Sequence, residues 1–375
     1  MSAVPEPSGA PERSGAPVFH WFLPTSGDGH GVGDGARTGV VSRRHRPATL
    51  AYLAQIAQAA EQLGFAGVLT PTGTWCEEAW LVSCALAQRT ARLRFIVAFR
   101  PGMLTPTFAA QMASTFQRLS AGRLAINVVS GGEDEEQHRF GDWLAHDERY
   151  ERSDEFLEIV SGALGPEPFS LEGAHYHVVG ATVTGAPARP PSVYFGGASA
   201  AAERVAARHA DVYLCWGEPP DILAERVERV RLLAGAAGRE LRFGVRLHVI
   251  TRETSREAWQ TAERLLDEMD PAAVARAQAR LAASSSVGQQ RMLALHGGRR
   301  DALEVAPNLW AGIGLVRGGA GTALVGSHSE VAERLEEYRR VGFEEFILSG
   351  YPHLEEAYAF GEGVMPLFPD PAVAT

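Results

Sequence analysis

The sequence predicts an α/β fold, a (β/α)8 TIM barrel with insertions, on three observations. Eight short β-rich runs are each followed by helical periodicity, the order of a parallel barrel. No Gly-x-Gly-x-x-Gly follows the first strand, which argues against a doubly wound open sheet. Polar residues gather at the C-terminal ends of the strand runs, where barrels build their sites.

The runs of branched and aromatic residues place strands at Val18–Leu23, Gly67–Pro71, Leu93–Phe99, Leu124–Val129, Ser192–Phe195, Asp211–Trp216, Phe243–Ile250 and Glu345–Leu348. Apolar spacing of three and four places helices at Leu50–Leu63, Glu77–Arg89, Pro106–Leu119, Arg149–Ala163, Ala200–Arg208, Pro220–Ala236, Glu257–Met269 and Glu330–Val341, with another from Leu354. Extra material follows the first strand (Thr25–Thr49) and forms insertions near 130–148, 165–191 and 270–329. Within the second insertion, Phe169–Leu171, Gly173 and Tyr176–Val179 read as a small hairpin outside the barrel. The expected organisation is one catalytic domain over 18–375, preceded by a Pro-, Gly-, Ala- and Ser-rich disordered tail over 1–17.

With 375 residues, 45% hydrophobic and 21% charged, the chain can bury a large core. A net charge of -10 and the lack of any basic stripe exclude a nucleic-acid footprint. Three unpaired-looking cysteines, Cys76, Cys84 and Cys215, favour a reducing compartment. No window approaches the ~18 consecutive apolar residues of a membrane span. A soluble, cytoplasmic protein without membrane partners is expected.

Arg246 and His248 interrupt an otherwise buried strand. Alternation puts both on one face, with Leu247 and Val249 on the other. A buried cation needs a partner. Nearby carboxylates satisfy the pair, solvent wets the strand end, or an anionic ligand is bound.

Other residues fall at the same mouth: Thr72 and Cys76 after the second strand, Arg100 after the third, Asn127 and Ser130 at the fourth, Trp216 and Glu218 at the sixth, Tyr351 and His353 after the eighth. Gly196, Gly197, Ala198 and Ser199 end the fifth strand and open a helix, a turn suited to an anion such as phosphate or to a plain connection. His146 and Tyr150, four apart at a helix start, share a face and suit a phosphate or ribityl clamp, or simple capping and packing. Cys76 sits where a helix start would favour a thiolate. The glycine-rich run Leu315–Gly326 carries Arg317 and reads as a lid or an idle loop. No histidine spacing suggests closed metal coordination.

Several blocks in one order resemble the FMNH2-dependent alkanesulfonate monooxygenases of the bacterial luciferase-like flavin monooxygenase family. They are Trp21-Phe22-Leu23-Pro24-Thr25, Pro71-Thr72-Gly73 with Cys76-Glu77-Glu78-Ala79-Trp80, Trp216-Gly217-Glu218-Pro219-Pro220, Arg242 to Ile250, Ser286 to Met292, the Arg317 loop, and Ser349 to Tyr358. The resemblance implies a two-component system in which an NAD(P)H-dependent FMN reductase supplies reduced FMN, O2 is the co-substrate, and an organosulfonate is split into aldehyde and sulfite. By position, Thr72, Asn127, His146, Tyr150, Gly196–Ser199 and Trp216 would hold the cofactor. Cys76 would lie near the oxygenated flavin, Arg246, His248 and Arg317 would bind sulfonate or assist proton transfer, and Tyr351 and His353 would complete the pocket. A homo-oligomer, dimer or tetramer, is implied as well. The chain departs from the family pattern at Ser26, in the longer loop 31–47 and at Ser130-Gly131-Gly132-Glu133, all bordering the substrate entrance. Two other readings stay open: a luciferase-like oxygenase for a neutral substrate such as a sulfone, and a barrel enzyme for a phosphorylated metabolite.

Overall fold

A computed structural model describes residues 15–32 and 45–369. Its first four strands, β1 (Val18–Phe22), β2 (Gly67–Thr70), β3 (Arg94–Phe99) and β4 (Leu124–Val128), are joined through helices α1 (Leu50–Leu63), α2 (Ala79–Ala87) and α3 (Pro106–Ser120). α4 (Asp134–Arg139), α5 (His146–Ala163) and the hairpin β5 (Phe169–Glu172) and β6 (His177–Ala181) follow. The barrel resumes with β7 (Ser192–Gly196), α6 (Ala200–His209), β8 (Val212–Trp216), α7 (Pro220–Ala236) and β9 (Arg242–Arg252). Next come α8 (Ser255–Asp267), α9 (Pro271–Ala282), α10 (Val287–His296), β10 (Glu304–Ala306), β11 (Leu309–Trp310), β12 (Ala323–Ser327), α11 (His328–Arg340), β13 (Phe343–Ser349) and α12 (His353–Gly363).

Parallel pairing runs β1-β2-β3-β4-β7-β8-β9-β13 and closes through β13 onto β1, a TIM barrel. The eight barrel strands are the eight the sequence marked. Phe243, Val245, Leu247 and Val249 face the helices in the main core cluster. Phe22, Leu69, Ile96, Ala125, Tyr194, Val212 and Ile347 fill the barrel interior. The hairpin expected over 165–191 is present as β5 and β6.

The interval 270–329 differs from a single long loop. It folds as two helices and a ribbon whose last strand, β12, lies parallel to the distal half of β9, pairing Ala323 with His248 and Ser327 with Arg252. β9 is long enough to serve β8 with its first half and β12 with its second. The glycine-rich run expected as a loop to Gly326 thus ends in a strand, because Ala323, Leu324 and Val325 find an open edge there. α5 begins at His146, three residues earlier than expected, with Glu148 reaching back to the N–H of Ala145 at 2.7 Å. Most of the tail over 1–17 and most of the loop 31–47 lie outside the described residues. No helix among the described residues is long and apolar enough to cross a membrane.

Candidate active site

The C-terminal mouth of the barrel opens into a cavity of about 300 Å³. Its apolar floor comes from Phe22, Leu69, Leu214 and Ile347 at the strand tops. Thr72, Asn127, His146, Tyr150, Gly196–Ser199, Trp216, Arg246 and Arg317 all line it. Residues from seven separate stretches of chain therefore meet at one surface.

One end is cationic. Arg246 is 8% exposed, and its guanidinium lies 4.6 Å from the Phe22 ring centroid; that of Arg317 lies 5.1 Å from the same ring. Arg246 donates to the carbonyls of Leu247 (2.5 Å) and Ile347 (3.3 Å) and to Ser349 Oγ (2.8 Å), all uncharged. Among the described residues no carboxylate pairs with Arg246 or Arg317. Burial, then the charge of Arg317, push Arg246 well below the ordinary guanidinium range, with Tyr351 opposing. Arginine stays protonated under such a load. This end of the site is therefore short of negative charge, and of the partners the sequence allowed for the strand residues, carboxylates are not used among the described residues.

His248, 1% exposed, stands behind this pair. Its Nε2 lies 3.0 Å from Arg317 Nη1 and its Nδ1 2.8 Å from Ser349 Oγ, while its ring stacks on Tyr351 at 5.5 Å. Burial first, then Arg317, Arg246 and His353, drive its pKa well below the usual value, so the ring is neutral. Arg317 also donates to the Tyr351 hydroxyl at 2.9 Å. This chain of contacts holds the mobile-looking Arg317 stretch against the barrel.

The other end is a helix N-terminus. Ser199 caps α6, its hydroxyl accepting from the N–H of Ala202 at 3.2 Å. Gly197 has φ +148°, and a Cβ there would meet Ala202 Cβ at 2.5 Å and the Tyr150 hydroxyl at 3.0 Å. Only glycine fits, and the bare backbone is left open to an anion at the positive end of the helix. The His146 and Tyr150 rings stand edge to face 5.1 Å apart beside it. Burial raises the Tyr150 phenol, with Ser199 and Arg149 pulling the other way, so it is a neutral donor. His146 is also tied to Asp147, 2.7 Å away.

The roof comes from two insertions. Ser284 Oγ donates to the carbonyl of Gly132 at 2.7 Å, and Gln289 Oε1 accepts from the N–H of Gly319 at 2.9 Å. Glu136 bridges the Arg100 guanidinium and the N–H of Thr74. Glu218 holds Arg226 at 2.9 Å and Arg291 at 2.8 Å from opposite sides. Sequence reasoning missed Glu136 and the Ser284–Gln289 wall. Both sit far along the chain from the strand ends they cover, and only the Ser130 to Glu133 stretch and the Ser286 to Met292 block pointed towards them.

Cys76, His248, Tyr351 and His353 do not line the cavity. The Cys76 thiol donates to the carbonyls of Gly73 (3.5 Å) and Pro71 (3.7 Å), and α2 begins three residues later, capped by Glu78, whose carboxylate accepts from Leu81 at 2.8 Å. The helix-start position expected for Cys76 belongs to Glu78 instead. His248, Tyr351 and His353 form the layer behind Phe22 and Arg317.

A family model described as luciferase-like monooxygenase matches residues 18–345. Among solved structures, a riboflavin lyase (RcaE) with modified FMN and substrate riboflavin is 22% identical, with a TM-score of 0.79 over 94% of this chain and 91% of that one. EDTA monooxygenase (EmoA) from Chelativorans sp. BNC1 is 19% identical, with a TM-score of 0.75 over 94% and 95%. A long-chain alkane monooxygenase (LadA) is 22% identical, with a TM-score of 0.70 over 94% and 91%. These likenesses establish the shared barrel, and the family match spans most of the chain: the protein belongs to the luciferase-like monooxygenase family.

Proposed function

We propose that the chain is the oxygenase of a two-component system, an FMNH2-dependent alkanesulfonate monooxygenase that cleaves the C–S bond with O2 to give aldehyde and sulfite. The observation that carries this reading is the pair of Arg246, buried, and Arg317, half-buried, over one aromatic ring, with no carboxylate pairing either among the described residues. A sulfonate is a permanent anion whose oxygens accept charge-assisted hydrogen bonds from two guanidinium groups. Relatives named for EDTA and for long-chain alkanes indicate that the fold accepts charged and uncharged substrates; the paired cations favour a charged one here.

The cavity fits FMN on two grounds. Gly197 leaves a cradle that a Cβ would fill, and the helix terminus above it suits the terminal phosphate. The apolar floor and Trp216 suit a flat ring system. Gly196–Ser199, His146 and Tyr150 would hold the phosphate and ribityl chain, with Thr72, Asn127 and Trp216 around the ring. Bound reduced FMN supplies the electrons that activate O2, one oxygen atom going to the carbon bearing sulfur and the other leaving as water. The protein's part is to orient the sulfonate with Arg246 and Arg317, hold Arg317 in place through His248 and Tyr351, and exclude water beneath the roof. A separate NAD(P)H-dependent FMN reductase, a cytoplasmic setting and a homodimer or homotetramer belong to the same proposal.

Incubation with a flavin reductase, FMN, NADH and short- to long-chain sulfonates is expected to release sulfite. No sulfite from any of them, with oxygen consumed on a neutral sulfone instead, would replace this reading with the neutral-substrate one. Gly197→Ala is expected to weaken FMN binding at least about tenfold, roughly 1.4 kcal/mol, while affecting riboflavin far less. Fluorescence titration of both flavins checks it, and an equal loss for both would remove the phosphate from this turn.

A further inference from the structure

His353, 3% exposed, is held by one carboxylate at two points. Asp28 Oδ2 accepts its backbone N–H at 2.9 Å, and Oδ1 lies 2.8 Å from its Nδ1. Asp28, itself 1% exposed, also accepts from the Tyr52 hydroxyl at 2.5 Å and the N–H of Gly29 at 2.9 Å. Its backbone pairs with that of Arg46, whose guanidinium holds Tyr52 (3.1 Å) and Glu355 (2.8 Å). Burial pushes the Asp28 carboxyl up, but the charge and hydrogen bonds of His353 and the Tyr52 hydroxyl outweigh it and keep it below its ordinary value. The group is an ionised, acceptor-only carboxylate.

An acceptor facing Nδ1 keeps a ring proton on Nδ1, so that in the neutral ring the lone pair lies on Nε2, which points away from Asp28. That Nε2 is buried with no protein partner among the described residues. The ring packs on Phe22 at 5.9 Å and on Tyr351 at 5.3 Å, the two residues that carry the guanidinium of Arg317 on the cavity side. A buried, unpaired acceptor is costly, roughly 1–3 kcal/mol, and calls for a reason.

We propose that Asp28 is a positioning residue, fixing His353 in the Nδ1–H tautomer so that Nε2 stands as a proton acceptor in the layer behind Arg246 and Arg317. The catalytic part of this inference rests on the oxygenase reading above; the tautomer part does not. An amide in place of the carboxylate would offer an N–H to Nδ1 and move the ring proton to Nε2, the failure known when the orienting carboxylate of a hydrolase triad becomes an amide.

The test is histidine 15N NMR on the flavin-free full chain, with kcat and KM measured beside it. The wild type is expected to show a pyridine-type Nε2 for His353, assigned by the loss of its signal in His353→Gln. Asp28→Asn is expected to show a protonated Nε2 and a kcat reduced at least about tenfold with KM for sulfonate little changed. Asp28→Glu is expected to restore the wild-type tautomer and part of kcat. A protonated Nε2 in the wild type overturns the proposal whatever the variants do, as does an Asn variant with the switched tautomer and full kcat. A wild type that releases no sulfite while showing the expected tautomer counts against the oxygenase reading alone.

Discussion

Arg246→Ala is expected to lower kcat/KM for an alkanesulfonate by about 2–4 kcal/mol, on the order of 30- to 1000-fold, while the melting temperature stays within a few degrees of wild type. Truncating a buried, hydrogen-bonded charge that pairs with a ligand costs about this much. The stability argument runs the other way. In the ligand-free protein the Arg246 guanidinium is desolvated, repelled by Arg317 and compensated only by carbonyls, a hydroxyl and a ring face. Removing it deletes an unfavourable charge along with its hydrogen bonds, so the two effects oppose each other. Arg317→Ala is expected to act in the same direction with a smaller loss, because that side chain is partly exposed and its anchors are His248 and Tyr351. His248→Ala releases Arg317 and is likewise expected to cost activity more than stability. Sulfite release under steady-state conditions and thermal unfolding measured on the same preparations check all three. Comparable losses of stability in every variant, with unchanged kcat/KM in the surviving protein, would make the cation pair structural.

How much of this was legible in the sequence follows from how local each signal is. Two basic residues at i and i+2 in a run of Val, Leu and Phe can only share one strand face, so Arg246 and His248 were readable without a structure. The turn Gly196–Ser199 was readable for the same reason, since glycine pairs before a capping serine punctuate a strand-to-helix step. β12 was hidden because its core, Ala323-Leu324-Val325, is short and bracketed by glycines, and what makes it a strand is the free upper edge of β9, which no window of sequence contains. Asp28 and His353 are 325 residues apart, so their contact depends on closure of the barrel. The orientation of Cys76 was illegible because a competing cap, Glu78, two residues on, decides where α2 begins. The sequence carried the face and the mouth; which group stands in front of which was set by packing.

The same closure creates a charged hub at the opposite end of the barrel, and Glu345→Ala is expected to destabilise the fold by about 3–5 kcal/mol, the usual cost of stranding buried partners. Glu345, 1% exposed, faces His20 Nε2 at 3.0 Å, accepts from the Tyr194 hydroxyl at 2.6 Å, and pairs with Arg242. These four residues come from β13, β1, β7 and β9, so one carboxylate ties together strands from both halves of the barrel. Burial raises the Glu345 carboxyl, but His20, Arg242 and Tyr194 together hold it below its ordinary value of 4.5. A carboxyl depressed in the folded state contributes stability that is present above its unfolded value and lost as the pH falls through its lower, folded one. Wild-type urea midpoints are therefore expected to fall as the pH drops below about 4.5, and the Glu345→Ala midpoint to fall less steeply over the same window. Because the hub lies at the N-terminal ends of the strands, away from the cavity, the folded fraction of the variant is expected to keep its affinity for FMN. A variant with wild-type urea midpoints at neutral pH, or one whose acid sensitivity equals that of the wild type, would mean that Tyr194, His20 and Arg242 are satisfied without the carboxylate and that the barrel floor is held by its apolar packing alone.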